Sequence, residues 1–146
     1  MSVTSSPSLK VSVPVGARLH FGAGIPGFPH ARVFSLRPWG TGPTPFYVME
    51  STDLAGLCFV VVSPSVFFPW YEPHFGPEVY QAVEVPGPDG VEVLVILTLH
   101  SRPQDTTANL LGPVVVNSGT GEAVQAVLSG SGFDPQTPIV TSAKSA

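Results

Sequence analysis

The fold of this chain is decided by residues 91–99, VEVLVILTL. Every second residue in this stretch is Val or Leu, so these five side chains share one face of an extended strand. Leu94 and Ile96 fill the opposite face, and only Glu92 and Thr98 interrupt the apolar run. An antiparallel strand that is apolar on both faces is covered on both sides, so the stretch predicts the central strand of a β-sheet protein.

Similar short strands are predicted on both sides of this stretch, and they are separated by residues that favour turns. A continuous apolar run at Leu57–Val62 predicts a strand buried on both faces, with Cys58 as a small buried side chain. Only one short helix is predicted, at Glu78–Val83 after Gly76-Pro77. The remaining predicted strands are Val11–Val15, Arg18–Phe21, Arg32–Leu36, Phe46–Glu50, Val114–Asn117 and Glu122–Leu128; residues 118–121, SGTG, predict a hairpin turn between the last two.

The composition supports the same class of fold. The 146 residues suit one domain, and 17 of them are proline, which leaves little room for long helices. We therefore predict an all-β, small, compact, barrel-like single domain of short antiparallel strands with at most one or two short helices. The expected boundaries are a disordered tail at residues 1–8, the domain at 9–133 and a flexible tail at 134–146.

Chemistry at a catalytic or metal site is not predicted from any cluster of residues. The single cysteine, Cys58, excludes an internal disulfide, and the histidines at 20, 30, 74 and 100 have no metal-ligand spacing. No nucleophile motif occurs, and the SGTG turn lacks the lysine of a phosphate-binding loop. We expect a protein that is not an enzyme and that carries no cofactor or metal.

Charge and hydropathy indicate the compartment and the kind of partner. The apolar runs are far shorter than the roughly 20 residues of a membrane span, and no signal peptide is visible, so a cytoplasmic protein is expected. Residues 38–101 contain seven Asp or Glu and no Lys or Arg. Such a surface would repel nucleic acid and could attract a basic protein, although an ordinary solvated surface would look the same.

The most unusual stretch is residues 63–73, SPSVFFPWYEP, which holds four aromatic residues and three prolines. The prolines exclude it from a central strand. It could cap the open end of a barrel as part of the core, or it could present aromatic side chains to a partner. We expect a division, with Phe67 and Phe68 pointing inward and with Trp70 and Tyr71 at least partly outward. The candidate partner-binding residues are Phe67, Phe68, Pro69, Trp70, Tyr71 and Glu72.

Three segments in order resemble the FliW family of flagellar assembly factors. The first is Gly24-Ile25-Pro26-Gly27-Phe28, followed by His30, Arg32 and Phe34. The second joins Phe59–Pro64 to Phe67-Phe68-Pro69 and Tyr71-Glu72. The third is Asp105–Asn117, followed by Gln125–Leu128. Together the segments cover about residues 21–133.

The resemblance implies a small cytoplasmic β-barrel-like protein without catalytic residues. It also implies two protein partners, flagellin and the RNA-binding translational regulator CsrA. In such a scheme flagellin leaves the factor as the filament grows, and the free factor then restrains CsrA allosterically and relieves repression of flagellin translation. Direct binding of nucleic acid or of a membrane is not implied.

The chain departs from the family pattern at two positions that bear on CsrA. Ala23 stands where many relatives have Glu, and Trp70 stands where many have Asp. If acidic side chains contact CsrA in relatives, those contacts are weaker in this chain. Two alternatives therefore stay open: a FliW-like paralogue that has lost CsrA binding, and a β-barrel module that binds a small molecule.

Overall fold

The structure is a computed structural model, and it describes residues 17–40 and 43–139. The predicted strand Val11–Val15 and the predicted tail at residues 1–8 lie outside the described residues. Within them the chain forms nine strands and one α-helix, α1 (Pro77–Ala82), together with 3₁₀ turns at Pro64–Val66 and Pro103–Asp105. The strands are β1 (Arg18–Phe21), β2 (Val33–Pro38), β3 (Phe46–Ser51), β4 (Cys58–Val62), β5 (Val91–Thr98), β6 (Thr107–Ala108), β7 (Val114–Asn117), β8 (Glu122–Gln125) and β9 (Thr137–Pro138).

Seven of these strands close into a barrel. Their order is β4-β3-β2-β1-β8-β7-β5, and β5 pairs again with β4. Closure leaves the ring without an open edge, which protects short apolar strands from pairing with other chains. The predicted all-β, barrel-like domain with a single short helix is confirmed. One pairing differs from the antiparallel expectation, because β1 and β8 run parallel.

Strand β5 occupies the central position that its sequence predicts. One edge pairs with β4 through Val95–Leu97, and the other pairs first with β7 and then with β6. The strand ends at Thr98, one residue earlier than predicted, and Leu99 is 45% exposed. The prediction that Leu99 shares the buried face is wrong, because the pairings of β5 with β4 and β6 end before this residue.

The interior of the barrel is filled by side chains that point inward from alternate strand positions. Phe21 and Phe34 meet edge to face there, with their ring centroids 5.4 Å apart. Each large apolar side chain removed from water stabilises the fold by about 1.5–3 kcal/mol. The interior cluster consists of Leu19, Phe21, Ile25, Ala31, Phe34, Leu36, Met49, Val61, Leu94, Val114, Val116 and Ala123.

A second apolar cluster covers the outer face of β4 and β5. Val61 points into the barrel and Val62 points outward, so β4 is buried on both faces where other chain segments cover it. The outer cluster consists of Val62, Phe68, Tyr71, Val95, Leu97, Ala108, Leu110 and Ile139. Helix α1 covers a third patch, in which Val79 and Val83 pack with Val115 and Ala126.

Cys58 is exposed, so its predicted place in the strand core is wrong. It lies at the first residue of β4 and points outward, whereas β5 pairs with β4 only from Val60 onward.

The C-terminal segment also differs from its prediction. A flexible tail was expected at residues 134–146, but Thr137 and Pro138 pair with β6 and Ile139 is buried, while residues 140–146 lie outside the described residues. Ile139 supplies apolar area to the outer cluster, which stabilises this segment on the barrel.

The loop between β1 and β2 has a backbone path that only glycine allows. Gly24 has φ +74°, and a Cβ atom at this residue would lie 2.5 Å from the carbonyl oxygen of Pro29. Ile25 and Phe28 bridge across the loop through paired backbone hydrogen bonds. The close approach indicated by the glycines is therefore within the chain. Ala23 is exposed in this loop.

Glu84 follows α1 in the left-handed region, with φ 61°. The N–H of Val85 donates to the carbonyl of Tyr80 and that of Glu84 donates to Gln81, which is the Schellman arrangement in which glycine is preferred. We expect Glu84→Gly to raise the free energy of unfolding by about 0.5–1 kcal/mol, because a left-handed residue with a Cβ costs about 1–2 kcal/mol and the more flexible unfolded chain offsets part of the gain. Urea denaturation measures the change.

Gln81→Gly is the matched control for this prediction, because Gln81 is an exposed residue inside the same helix. Glycine there is expected to lower stability by about 1 kcal/mol. Equal destabilisation by the two glycine variants would contradict the role given to Glu84.

Candidate functional site

Residues 63–73, called the aromatic segment below, leave the barrel directly after β4. A 3₁₀ turn at Pro64–Val66 begins the segment, and the N–H of Phe68 donates to the carbonyl of Pro64 at 2.7 Å. A second turn follows, in which the N–H of Tyr71 donates to the carbonyl of Phe68 at 3.0 Å. Because its prolines cannot extend β4 within the sheet, the segment lies across the outer wall of the barrel. It does not cap the interior, since Phe68 and Tyr71 pack in the outer cluster.

The aromatic segment forms the centre of a continuous line of seven rings, called the aromatic row below. Neighbouring ring centroids lie between 4.8 and 6.3 Å apart. Such edge-to-face and offset contacts each contribute about 0.5–1.5 kcal/mol beyond the burial of area. The row runs in the order Trp39, Phe46, Phe67, Phe68, Trp70, Tyr71 and Phe133. It joins four separate parts of the chain, at residues 39, 46, 67–71 and 133.

Tyr71 is buried, so the prediction that it lies at least partly outward is wrong. Its hydroxyl donates a hydrogen bond of 2.7 Å to the backbone carbonyl of Leu110, and its ring meets Phe133 at 4.8 Å. A phenol is buried at little cost when its hydroxyl has an acceptor, which explains its place in the outer cluster. Burial also raises the pKa of Tyr71.

The other candidate residues divide between the core and the surface. Phe68 is buried and Phe67 is half-buried, in agreement with the predicted inward orientation. Trp70 is 60% exposed, although its ring stands against Phe68 at 5.8 Å and Tyr71 at 6.2 Å. Pro69 and Glu72, which flank Trp70 and Tyr71 in the sequence, are both exposed. The segment therefore combines a fixed apolar base with one large solvent-facing ring.

An apolar groove of about 520 Å³ opens beside the aromatic row. Its lining includes Trp39, Phe46 and Phe67 from the row. Trp39 and Leu99, which are 42% and 45% exposed, are the exposed large apolar residues of the lining. His100 is the one titratable side chain among the lining residues of the described chain. The groove was not predicted from the sequence, because its walls come from five separate stretches of the chain. No local pattern marked it, because the sequence places Leu99 on the same strand face as the buried Val95 and Leu97.

Two asparagines fix the turns next to the outer faces of the barrel. The Oδ1 of Asn109 accepts from the N–H groups of Leu111 and Gly112, at 3.1 and 2.9 Å. Asn117 begins the hairpin turn at residues 118–121, where its Oδ1 accepts from Gly119, and its Nδ2 donates to Val83 at the end of α1. The hairpin predicted from the SGTG stretch is confirmed.

Two of the seven acids between residues 38 and 101 have partners within the fold. Glu50 pairs with Arg37 at 3.4 Å. Asp53 accepts from the backbone N–H groups of Val33 and Arg32 at 2.9 Å each, and these bonds lower the pKa of its carboxyl group. The other five make no ion pair with any residue in the described ranges, and all but the last are exposed; they are Glu72, Glu78, Glu84, Asp89 and Glu92.

Within residues 17–40 and 43–139, no cluster of three or more His, Cys, Asp or Glu has an arrangement that could hold a metal ion. In the same part of the chain no helix has the length and apolar character needed to cross a membrane.

Comparisons with known proteins place this geometry in a family. The model of the FliW protein family matches residues 4–139. The flagellar assembly factor FliW of Bacillus pumilus is 37% identical over 124 residues, which cover 85% of each chain. That of Bacillus subtilis is 35% identical over 119 residues, or 82% of each chain. A crystal structure of the flagellar assembly factor FliW superimposes with a TM-score of 0.76 at 30% identity, over 84% of both chains.

Proposed function

The chain belongs to the FliW family of flagellar assembly factors, and on this premise we propose that it binds flagellin and the translational regulator CsrA in the cytoplasm. Flagellin and CsrA compete for binding to the same molecules of the protein. When flagellin is exported into the growing filament, the freed protein binds CsrA away from its RNA surface and lifts the repression of flagellin translation. The protein acts by binding and not by catalysis.

The observation that carries the proposal is the exposure of Trp70. Because 60% of the surface of Trp70 is in water, its side chain contributes little to the stability of the fold. The neighbouring Phe68 and Tyr71 are buried and hold its ring in place. Large aromatic side chains on a rigid base are typical of residues that dominate the energy of protein interfaces. The proposed partner surface is therefore the exposed part of residues 67–72, with Trp70 at its centre and with Pro69 and Glu72 beside it.

The charge distribution supports a basic second partner. Glu78 and Glu84 are exposed at the two ends of α1, and Asp89 follows in the turn before β5. None of the three makes an ion pair within the described part of the chain. Unpaired acids near one element attract a basic protein and speed its encounter. We assign the side of the barrel around α1 to CsrA on this basis.

A FliW-like paralogue that does not bind CsrA is the second candidate function. It is favoured by Ala23 and Trp70, two exposed positions at which the resemblance to the family predicts acidic residues. In this case the chain would still bind flagellin, but the translation of flagellin would not respond to the amount of free chain.

An RNA mobility assay separates the two candidates. CsrA is bound to the leader of its flagellin transcript, and the purified chain is added, first alone and then with an excess of flagellin. Release of RNA by the chain and its reversal by flagellin would support the full proposal. Undiminished RNA binding by CsrA, together with retained flagellin binding, would assign the chain to the paralogue.

A further inference from the structure

The apolar groove beside the aromatic row has no assigned role in the proposed function. Its base and one wall come from side chains of the outer face, among them Phe46, Phe67 and Leu97. Phe46 and Phe67 stack there with an interplanar angle of 30° and their centroids 5.9 Å apart. The opposite side is closed by Thr106 and Ile139, where β9 joins β6.

The charges near the groove and in its lining indicate the charge of the segment that it can bind. Arg37, two residues before Trp39, is paired with Glu50 at 3.4 Å. Arg102, next to the lining residue Pro103 in the sequence, is paired with Asp105 at 3.3 Å. Both ion pairs are exposed and neither lines the groove, and His100 is the one titratable side chain among the described lining residues, so a charged occupant would lose its hydration without gaining a strong opposite charge. The complementary occupant is uncharged.

The exposed apolar side chains indicate a polypeptide and not a small molecule. Trp39 and Leu99 are exposed in the lining, and the aromatic row connects the groove to Trp70 through Phe67 and Phe68. A ligand confined to the groove would contact Trp39 and Leu99, which line it, but would leave Trp70 in water. A chain segment that enters the groove and continues along the row would cover all three, and contiguous exposed apolar surface is typical of a protein-binding site.

We propose that the groove receives an uncharged, apolar segment of flagellin, and that the same segment continues onto Trp70. This inference rests on the proposed binding of flagellin and adds to it the groove and the chemistry of the bound segment. The segment that enters contains aliphatic or aromatic side chains and no Lys, Arg, Asp or Glu.

Leu99→Glu tests the groove directly, because it places a charge in the lining of a site assigned to an uncharged segment. Leu99 lies outside β5 and is 45% exposed, so the variant is expected to fold. Calorimetric titration with flagellin from the same organism is expected to show affinity at least about tenfold below that of the wild type. Val127→Glu is the matched control, since Val127 is 57% exposed and is not a lining residue, and it is expected to bind as the wild type does.

Salt dependence tests the charge of the occupant. The affinity of the wild type is expected to change by less than about twofold between roughly 0.1 and 0.5 M salt, because screening has little effect on apolar contacts. Equal binding by Leu99→Glu and the wild type would overturn the groove assignment and leave flagellin binding intact. A steep salt dependence of this affinity would show that the bound segment is charged and would overturn its assignment as uncharged. A dimer of the free chain that Leu99→Glu abolishes would assign the groove to a second copy instead. If the wild-type chain does not bind flagellin, the proposed function itself is contradicted.

Discussion

Tyr71→Ala is expected to lower the free energy of unfolding by about 3–5 kcal/mol, which is the cost of removing a large aromatic side chain from a packed site. The ring is 8% exposed and meets Phe133 at 4.8 Å, and the hydroxyl is bonded to the carbonyl of Leu110. Its loss would open a cavity in the outer cluster and leave that carbonyl without its partner. Urea denaturation followed by tryptophan fluorescence measures the change.

Tyr71→Phe separates the hydrogen bond from the packing. It keeps the ring and removes the hydroxyl, so a loss of about 1–2 kcal/mol is expected. Since burial raises the pKa of Tyr71, its contribution is complete below about pH 10 and declines above it, where the tyrosine of the unfolded chain loses its proton. Tyr71→Phe should remove that part of the pH dependence. Wild-type stability in Tyr71→Ala would show that the aromatic segment is not part of the folded core.

Trp70→Ala is expected to have the opposite profile, with a large effect on binding and a small one on stability. Removal of a central aromatic contact typically costs about 2 kcal/mol or more of binding free energy, which is roughly a 30-fold loss of affinity for flagellin. The free energy of unfolding should fall by about 1 kcal/mol, the low end of what the two ring contacts with Phe68 and Tyr71 contribute, because 60% of the side chain is already in water. Titration calorimetry and thermal melting of the same preparation measure the two effects.

Val127→Ala serves as the comparison for Trp70→Ala, because it also shortens an exposed apolar side chain, away from the aromatic row. It should change neither affinity nor melting temperature appreciably. A melting temperature lowered strongly by Trp70→Ala, with affinity for flagellin unchanged, would mean that Trp70 serves the fold and not the partner.

Much of the barrel could be predicted from local sequence, since the alternation of side chains along a strand is itself a local property. Residues 91–99 predicted the central strand because both of its faces are apolar, and the SGTG turn predicted the β7–β8 hairpin. The parallel pairing of β1 with β8 could not be predicted in this way. It joins residues about 100 positions apart, and no local pattern encodes which edges meet when the barrel closes.

The errors have a common physical cause, which is contact with distant parts of the chain. Tyr71 is buried because Leu110, 39 residues away, offers a backbone acceptor. Cys58 is exposed because β5 pairs with only the last part of β4. Ile139 is buried because β6 pairs with the residues before it. The exposure of Trp70 was predicted from the composition of its segment, whereas the groove was missed because distant segments of the chain form it.

Isothermal titration calorimetry of the wild-type chain, separately with flagellin and with CsrA from the same organism, tests the proposed function most directly. Saturable binding of flagellin is expected, together with binding of CsrA that flagellin diminishes. The absence of heat with either protein at concentrations of tens of micromolar, from a chain shown to be folded by its cooperative melting, would contradict the assignment of this barrel as a regulator that binds both.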